Sequence, residues 1–338
     1  MRALYRLSRE SGNPAFSVCV AEQGSGTPAY ARVTNPRTLP KQAILVVNAA
    51  SRSGADAFAE ARDKLTAAGI ELIDAKAVKK PERMGAMVKA AIKRAPMVIV
   101  GGGDGSLSSN IEPFMGSDTV FALLPLGTAN SFARTLGIPL ELDGAIAVIA
   151  EGEARCIDLG CINGDFFLNA AALGLAPKIA ETVPHGLKRL LGRLGYLLWA
   201  GWSAANFNAF RLTVDDGRRR KTVWATEARI ANGSFHAGME LIESADVESG
   251  VIVVQAVTGR SVVGLGWSYF ASAVKLKARH ATTREFRGPR LTVSTRPKLQ
   301  VSVDGELGAT TPLTVSVVPE AVIVAAPRAN SGEAGKRG

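Results

Sequence analysis

Residues Met97 to Leu107 read Met-Val-Ile-Val-Gly-Gly-Gly-Asp-Gly-Ser-Leu, an apolar run ending in three glycines and an aspartate enclosed by glycine. The pattern returns a little further on in Phe121-Ala-Leu-Leu-Pro-Leu-Gly-Thr-Ala-Asn130. Each strand-like run opens through a glycine-rich turn onto a helix-like segment. Such turns cradle phosphate, because glycines let backbone amides approach a polyphosphate and a following helix adds its positive end. The candidate nucleotide-binding residues are therefore Gly101, Gly102, Gly103, Asp104, Gly105, Ser106 and Leu107 in the first turn, with Gly127, Thr128 and Asn130 in the second. A carboxylate in such a turn would repel phosphate unless a divalent cation lay between them. That makes Asp104 the candidate Mg²⁺ ligand.

The elements that must position these turns alternate. Ala43–Val47 is an apolar, β-branched run; Asp56–Ala68 carries Phe58, Ala61 and Leu65 at helical spacing and stops at Gly69. A strand over Ile70–Val78, a helix opening near Pro81, and strands over Met97–Val100 and Val120–Leu124 follow. This grammar predicts an α/β domain with a parallel, doubly wound sheet. Ligands of such sheets sit beyond the carboxyl ends of the strands, where Asn48, Gly101–Ser106 and Gly127–Asn130 all fall.

After about residue 153 the text becomes β-rich. Strands over Arg155–Cys161 and Phe166–Ala171 flank Asn163-Gly164, and strands over Phe210–Val214 and Val223–Ala231 flank Asp215-Asp-Gly217, both strong hairpin turns. Short strands over Val251–Val257, Leu291–Thr295, Leu299–Val303 and Leu313–Val318 complete an antiparallel, sandwich-like domain, interrupted by helices over Leu187–Ala205 and Val262–Ala278. The expected division is a flexible extension over 1–40, a nucleotide-binding domain over 41–153, a β-rich domain over 154–326 whose last strand can return to the first domain, and a disordered tail over 327–338. A cleft between the two domains is the natural place for a reaction.

The chain has 338 residues, 47% of them apolar, and a formal net charge of +10, which favours an anionic partner. Nucleic acid fits poorly, since the basic residues are not interleaved with stacking aromatics. Cys19, Cys156 and Cys161 show no paired spacing, which points to a reducing compartment and no zinc site. His185, His236 and His280 are scattered and are read as residues without catalytic duty. With no signal-peptide pattern and no long unbroken apolar run, the expected location is cytoplasmic. Gly24-Ser-Gly-Thr-Pro-Ala29 matches a dinucleotide fingerprint only superficially, because Pro28, Pro36 and Pro40 leave no helix after it. Leu187–Trp202 is basic and aromatic; it reads as a helix packed on the sheet, with a membrane-interface anchor as the alternative. Arg218-Arg-Arg-Lys221 sits in a hairpin turn, open to anionic headgroups or simply solvated.

Taken together, these motifs resemble those of the diacylglycerol kinase catalytic-domain superfamily, which includes soluble bacterial lipid kinases and sphingosine kinases and, more distantly, NAD kinases. The resemblance covers roughly residues 43–326. Gly102-Gly-Asp-Gly-Ser106 is similar to its GGDGT motif, and Pro125-Leu-Gly-Thr-Ala-Asn-Ser-Phe-Ala-Arg134 to PxGTxNDFAR. Asp158-Leu-Gly160, Phe167-Leu-Asn169, Ala231-Asn-Gly233, Asp304-Gly-Glu306 and Thr311-Pro312 continue the series.

The resemblance implies ATP-dependent phosphorylation of a lipid hydroxyl, with diacylglycerol as default acceptor and ATP and Mg²⁺ as cofactors. It places the nucleotide on the first domain and the lipid in the cleft toward the second, and is compatible with peripheral contact with the inner face of a membrane and with a homodimer. By the same resemblance Asp104 organises the Mg²⁺-bound phosphates and Thr128 and Asn130 contact the nucleotide. Asp304 is then the general base, and Glu306 supports it or the metal. No Walker-type loop is present, so backbone amides and metal must replace its lysine. The departures are Ser108-Ser109 for the family's Asn-Glu, Ser131 for an Asp, and Ser249-Gly-Val-Ile-Val253 where some relatives hold a structural Mg²⁺, so no such site is expected. The GGDG element is shared with NAD kinases, an alternative that Ser108-Ser109 speak against because those enzymes keep the Asn-Glu pair, and the same losses leave open a non-catalytic nucleotide- or lipid-binding protein.

Overall fold

The computed structural model describes residues 37–50, 52–175, 207–259 and 283–328. Most of the 1–40 extension, the helices expected over Leu187–Ala205 and Val262–Ala278, and almost all of the tail lie outside these residues, as do Cys19, His185 and His280.

Four parallel strands open the fold after a short β1 (Arg37–Thr38): β2 (Gln42–Asn48), β3 (Glu71–Val78), β4 (Met97–Gly102) and β5 (Val120–Pro125). They lie in the order β5-β4-β2-β3. Every residue of β4 and β5 is buried, which is why their sequences run apolar without alternation: both sheet faces are covered. The cover is α1 (Arg52–Ala67), α2 (Met84–Ile92, entered by a 3₁₀ turn at Pro81–Arg83) and α5 (Leu142–Glu151). Helix α1 starts four residues before the expected Asp56. Two five-residue helices, α3 (Asp104–Ser108) and α4 (Ser131–Thr135), follow the ends of β4 and β5.

The second half is antiparallel: β6 (Glu153–Ile162), β7 (Asp165–Phe167), β8 (Ala170–Gly174), β9 (Phe210–Asp215), β10 (Arg220–Ala231), β11 (Phe235–His236), β12 (Met239–Glu240), β13 (Ile252–Thr258), β14 (Thr283–Gly288), β15 (Arg290–Arg296), β16 (Gln300–Val303), β17 (Glu306–Thr310) and β18 (Leu313–Ala326). The β6–β7 turn has Asn163 and Gly164 at φ 54° and 111°, the left-handed pair that a two-residue hairpin demands. Its inner face gathers Phe167, Phe210, Leu212, Ile230, Val254, Val293 and Val315 into a second core.

Other features also differ from the sequence reading. The strand expected over Phe166–Ala171 breaks at Leu168-Asn169 into β7 and β8. Strands β14 and β17 were not expected, because Thr-Arg-Glu-Phe-Arg-Gly and Glu-Leu-Gly-Ala-Thr show no clean apolar alternation. The last strand does not stop at Val318. It passes Glu320, at φ 48°, and runs on to Ala326, pairing with β6 along most of its length, with β15 early, and with β5 in parallel at Val324–Phe121. Strand β18 thereby joins the α/β half and the β-rich half into one hydrogen-bonded sheet. Among the described residues no helix is long and apolar enough to cross a membrane.

Candidate active site

The chain reverses direction across the sheet between β2 and β4, since β3 flanks β2 on one side and β4 on the other. Ligand crevices form at such a switch point. Asn48 closes β2 there and donates through Nδ2 to Ser106 Oγ at 2.9 Å, joining the end of β2 to α3. Glycine is required where the two turns meet: a Cβ on Gly127 would lie 2.5 Å from Gly103 Cα and 2.8 Å from Asn130 Oδ1. The two glycine turns are thus in backbone contact.

Asp104 fastens that contact. Its Oδ2 accepts the Ser131 amide at 3.0 Å and its Oδ1 the Phe132 amide at 3.1 Å, so it caps α4 from the neighbouring loop. Phe132, one of those two residues, packs toward Phe121 of β5 (ring centroids 6.5 Å apart), which anchors α4 to the sheet. Asn130 is only 4% exposed and sits at φ 47°. Its amide nitrogen donates to the Pro125 and Gly127 carbonyls at 3.2 and 2.9 Å, and its Oδ1 accepts the Gly127 amide at 2.9 Å. The side chain expected beside the nucleotide therefore braces the loop from inside. The outward surface is left to Gly105, Gly127 and Thr128, all exposed, with nothing within 4 Å of a Cβ placed on Gly105.

This geometry fits a polyphosphate: open glycine backbone in two touching turns, beside the start of α3. Mg²⁺ fits only as an ion brought by the nucleotide. Among the described residues no cluster of three His, Cys, Asp or Glu side chains could cage a metal. Asp104 already accepts two amides, leaving about two lone-pair directions, which suits an ion held mostly by phosphate and water.

The second half delivers Asp304. It occupies the tight turn between β16 and β17, at φ 45° with Gly305 at φ 96°, and its amide donates to the Ala170 carbonyl at 3.1 Å. Its carboxylate meets the break between β7 and β8, where the chain is free of strand pairing. Oδ2 accepts the Leu168 amide at 2.9 Å, and Oδ1 accepts the amides of Asn169 and Ala170, both at 3.3 Å. A fourth donor comes from the other half of the molecule: Ser108 Oγ, 196 positions away in sequence, at 2.5 Å from Oδ2. Burial pushes the Asp304 carboxyl above its ordinary value, while Ser108 and the three amides pull it down; the rise prevails.

The weaker motifs explain how that strand break is held. Buried Asn232 donates to the Asp158 and Leu168 carbonyls, both at 2.9 Å, and the amides of Asn232 and Gly233 donate to the Asn169 carbonyl. Asn169 accepts Thr135 Oγ1 at 2.8 Å, which ties the break to α4, and donates to the Phe235 carbonyl. Asp158 is a structural clamp, 4% exposed, accepting the Gly250 and Glu320 amides at 2.7 and 2.9 Å; burial raises its pKa. Thr311, also buried, closes the turn back to Leu299. Glu306 begins β17 in register with Val303.

One contact escaped the sequence reading: Ser108, a departure from the family motif, touches Asp304. The β11–β12 hairpin folds over α4, with the Gly238 amide donating to Ser131 Oγ at 2.9 Å, and burial holds the His236 pKa below the usual value. Near the same hairpin lies a buried cluster, Glu227–Arg229–Gln255, with Arg229 Nε 2.7 Å from Glu227 and its Nη1 2.9 Å from Gln255. Arg218–Lys221 is exposed, as expected, but only Arg218 and Arg219 lie in the turn, since Arg220 and Lys221 already pair with β9; Trp224 nearby is also exposed, at 40%.

Comparison with known proteins follows the same division. Residues 42–162 match the diacylglycerol kinase catalytic domain, and residues 171–326 match the YegS C-terminal NAD kinase beta sandwich-like domain. A Pseudomonas aeruginosa protein named "Probable lipid kinase YegS-like" is 33% identical over 239 residues, covering 68% of this chain and 76% of its own. The diacylglycerol kinase of Bacillus subtilis is 40% identical over 114 residues, 32% of this chain and 37% of that one. An uncharacterized Synechocystis protein matches at 27% over 240 residues; the match covers 69% of this chain and only 55% of that protein. A crystal structure of a diacylglycerol kinase from Bacillus anthracis superposes with TM-score 0.66 at 18% identity, over 86% of this chain and 98% of that one, and so shares the fold. The chain belongs to the YegS-like lipid kinases of the diacylglycerol kinase superfamily.

Proposed function

We propose that the protein transfers the γ-phosphoryl group of ATP to a lipid hydroxyl, with diacylglycerol as the first acceptor to test and phosphatidic acid as its product. The observation that carries this reading is the contact of Asp304, from the β-rich half, with Ser108 on the helix that follows the glycine turn. It supports a carboxylate base standing at the edge of a phosphate cradle, as phosphoryl transfer to an alcohol needs.

In this reading Gly101–Leu107, Gly127 and Thr128 bind and orient the triphosphate through backbone and hydroxyl groups, and Asn48 and Asn130 hold the turns in shape. Asp104 would help hold a Mg²⁺ ion brought with ATP, and that ion would neutralise charge on the phosphates. Asp304 takes the proton of the acceptor hydroxyl as its oxygen attacks phosphorus. Such general base assistance contributes about 10²–10⁴-fold. A pKa raised by burial makes Asp304 a stronger base once ionised. Glu306, two residues on, supports Asp304 or the metal. The exposed Arg218–Lys221 stretch and Trp224 give a basic, aromatic face for contact with anionic headgroups at the inner membrane face.

The test is a panel assay with purified protein, Mg²⁺ and radiolabelled ATP against diacylglycerol, sphingoid bases and other hydroxylated lipids. Labelled phosphatidic acid is expected. Stabilisation by ATP with no lipid labelled would place the protein among nucleotide sensors instead.

A further inference from the structure

The resting structure leaves the candidate base no room for a substrate. A carboxylate offers about four lone-pair directions. At Asp304, Oδ2 accepts Ser108 Oγ at 2.5 Å and the Leu168 amide at 2.9 Å, while Oδ1 accepts the amides of Asn169 and Ala170 at 3.3 Å. An incoming alcohol must displace one of these four donors. The three amides belong to backbone pinned by Asn232 and by strand pairing, and cannot swing aside. The Ser108 hydroxyl can, because rotation about its Cα–Cβ bond moves Oγ while α3 stays in place.

We propose that Ser108 Oγ marks the position of the acceptor hydroxyl, and that Ser108 is a positioning residue which holds Asp304 until the acceptor alcohol displaces it. The inference rests on Asp304 being the base, as set out above. The chemical match is close: Ser108 is itself an aliphatic alcohol, donating at short range to one carboxylate oxygen from the side of the glycine turns. An asparagine, which the family motif carries here, would present an amide and no hydroxyl.

The displaced hydroxyl has somewhere to go. Serines in helices can donate to the carbonyl one turn back, and the adjacent Ser109 already does so, to the Gly105 carbonyl at 2.8 Å. For Ser108 the equivalent acceptor is the Asp104 carbonyl. In the transfer the acceptor O–H bond breaks and its proton passes to Asp304 Oδ2. The oxygen's electron pair forms the new O–P bond, and the bond from γ-phosphorus to the bridging oxygen breaks with its pair leaving on ADP. Ser108 forms and breaks only hydrogen bonds.

The experiment compares wild type, Ser108→Ala and Ser108→Thr with Mg²⁺-ATP and dioleoylglycerol in mixed micelles. Ser108→Ala is expected to lower the acceptor KM several-fold and leave the ATP KM unchanged; Ser108→Thr restores wild-type values. An unmoved acceptor KM, or an equal change toward ATP and acceptor, would overturn the inference. Asp304→Asn separates the two ideas: full transfer in that variant removes the base itself, whereas an inactive Asp304→Asn beside an unmoved acceptor KM in Ser108→Ala removes only the role of Ser108.

Discussion

Asp104 and Asp304 are both aspartates followed by glycine, both half-buried and both held by backbone amides, yet they sit in opposite halves of the molecule. Asp104 accepts amides of its own half, at the start of α4, and every partner it has is fixed backbone. Asp304 accepts amides of the broken β7–β8 strand, and also one rotatable hydroxyl from the other half of the molecule. The first arrangement shapes a loop. The second holds a carboxylate in place and leaves one partner that can be exchanged. Asp158, gripped by the Gly250 and Glu320 amides with no exchangeable donor, shows the same clamp in a purely structural setting.

The sharpest way to break the comparison is at the loop. Gly127→Val would force a side chain into the Gly103 backbone, and nucleotide binding should fall more than about 100-fold; calorimetric titration with ATP checks this. Asp104→Ala strips the acceptor from two α4 amides. It should cost about 2 kcal/mol of stability by denaturant unfolding and weaken ATP binding about tenfold or more. Asp158→Ala should cost a similar ~2 kcal/mol while sparing the ATP affinity and transfer rate of the folded fraction, which thermal melts and kinetics at low temperature can separate. The smallest effect belongs to the exposed basic stretch. Replacing Arg218, Arg219, Arg220 and Lys221 with Gln should weaken sedimentation with phosphatidylglycerol vesicles. Turnover of a short-chain, water-soluble diacylglycerol should not change.

The loop half of this comparison could be read from the sequence, and the Asp304 half only partly. Glycines and Asp104 lie within a few residues of one another, so the alternating pattern gathers their turns on the carboxyl rim of the sheet. The parallel strands were equally plain, since β4 and β5 are apolar on both faces. Asp304 could be picked out only through its resemblance to a family series; its own Asp-Gly turn has no local mark that sets it apart from Asp216-Gly217. Its surroundings were hidden for a physical reason. At the break, Asn232 and Gly233 take the Leu168 and Asn169 carbonyls that strand pairing would otherwise use, while Thr135 holds the Asn169 side chain. Ser108 reaches Asp304 across 196 positions, and the β11–β12 hairpin is laid over α4. Such contacts are tertiary in origin and have no period or spacing to betray them.

The central claim is that nucleotide binding and proton abstraction are divided between the two halves. The most direct test is Asp304→Asn, measured for ATP affinity by calorimetry and for phosphoryl transfer to dioleoylglycerol on the same preparation. The division predicts ATP affinity within about threefold of wild type and transfer reduced by about 10²-fold or more. Transfer near the wild-type rate, or ATP affinity lost together with transfer, would contradict it.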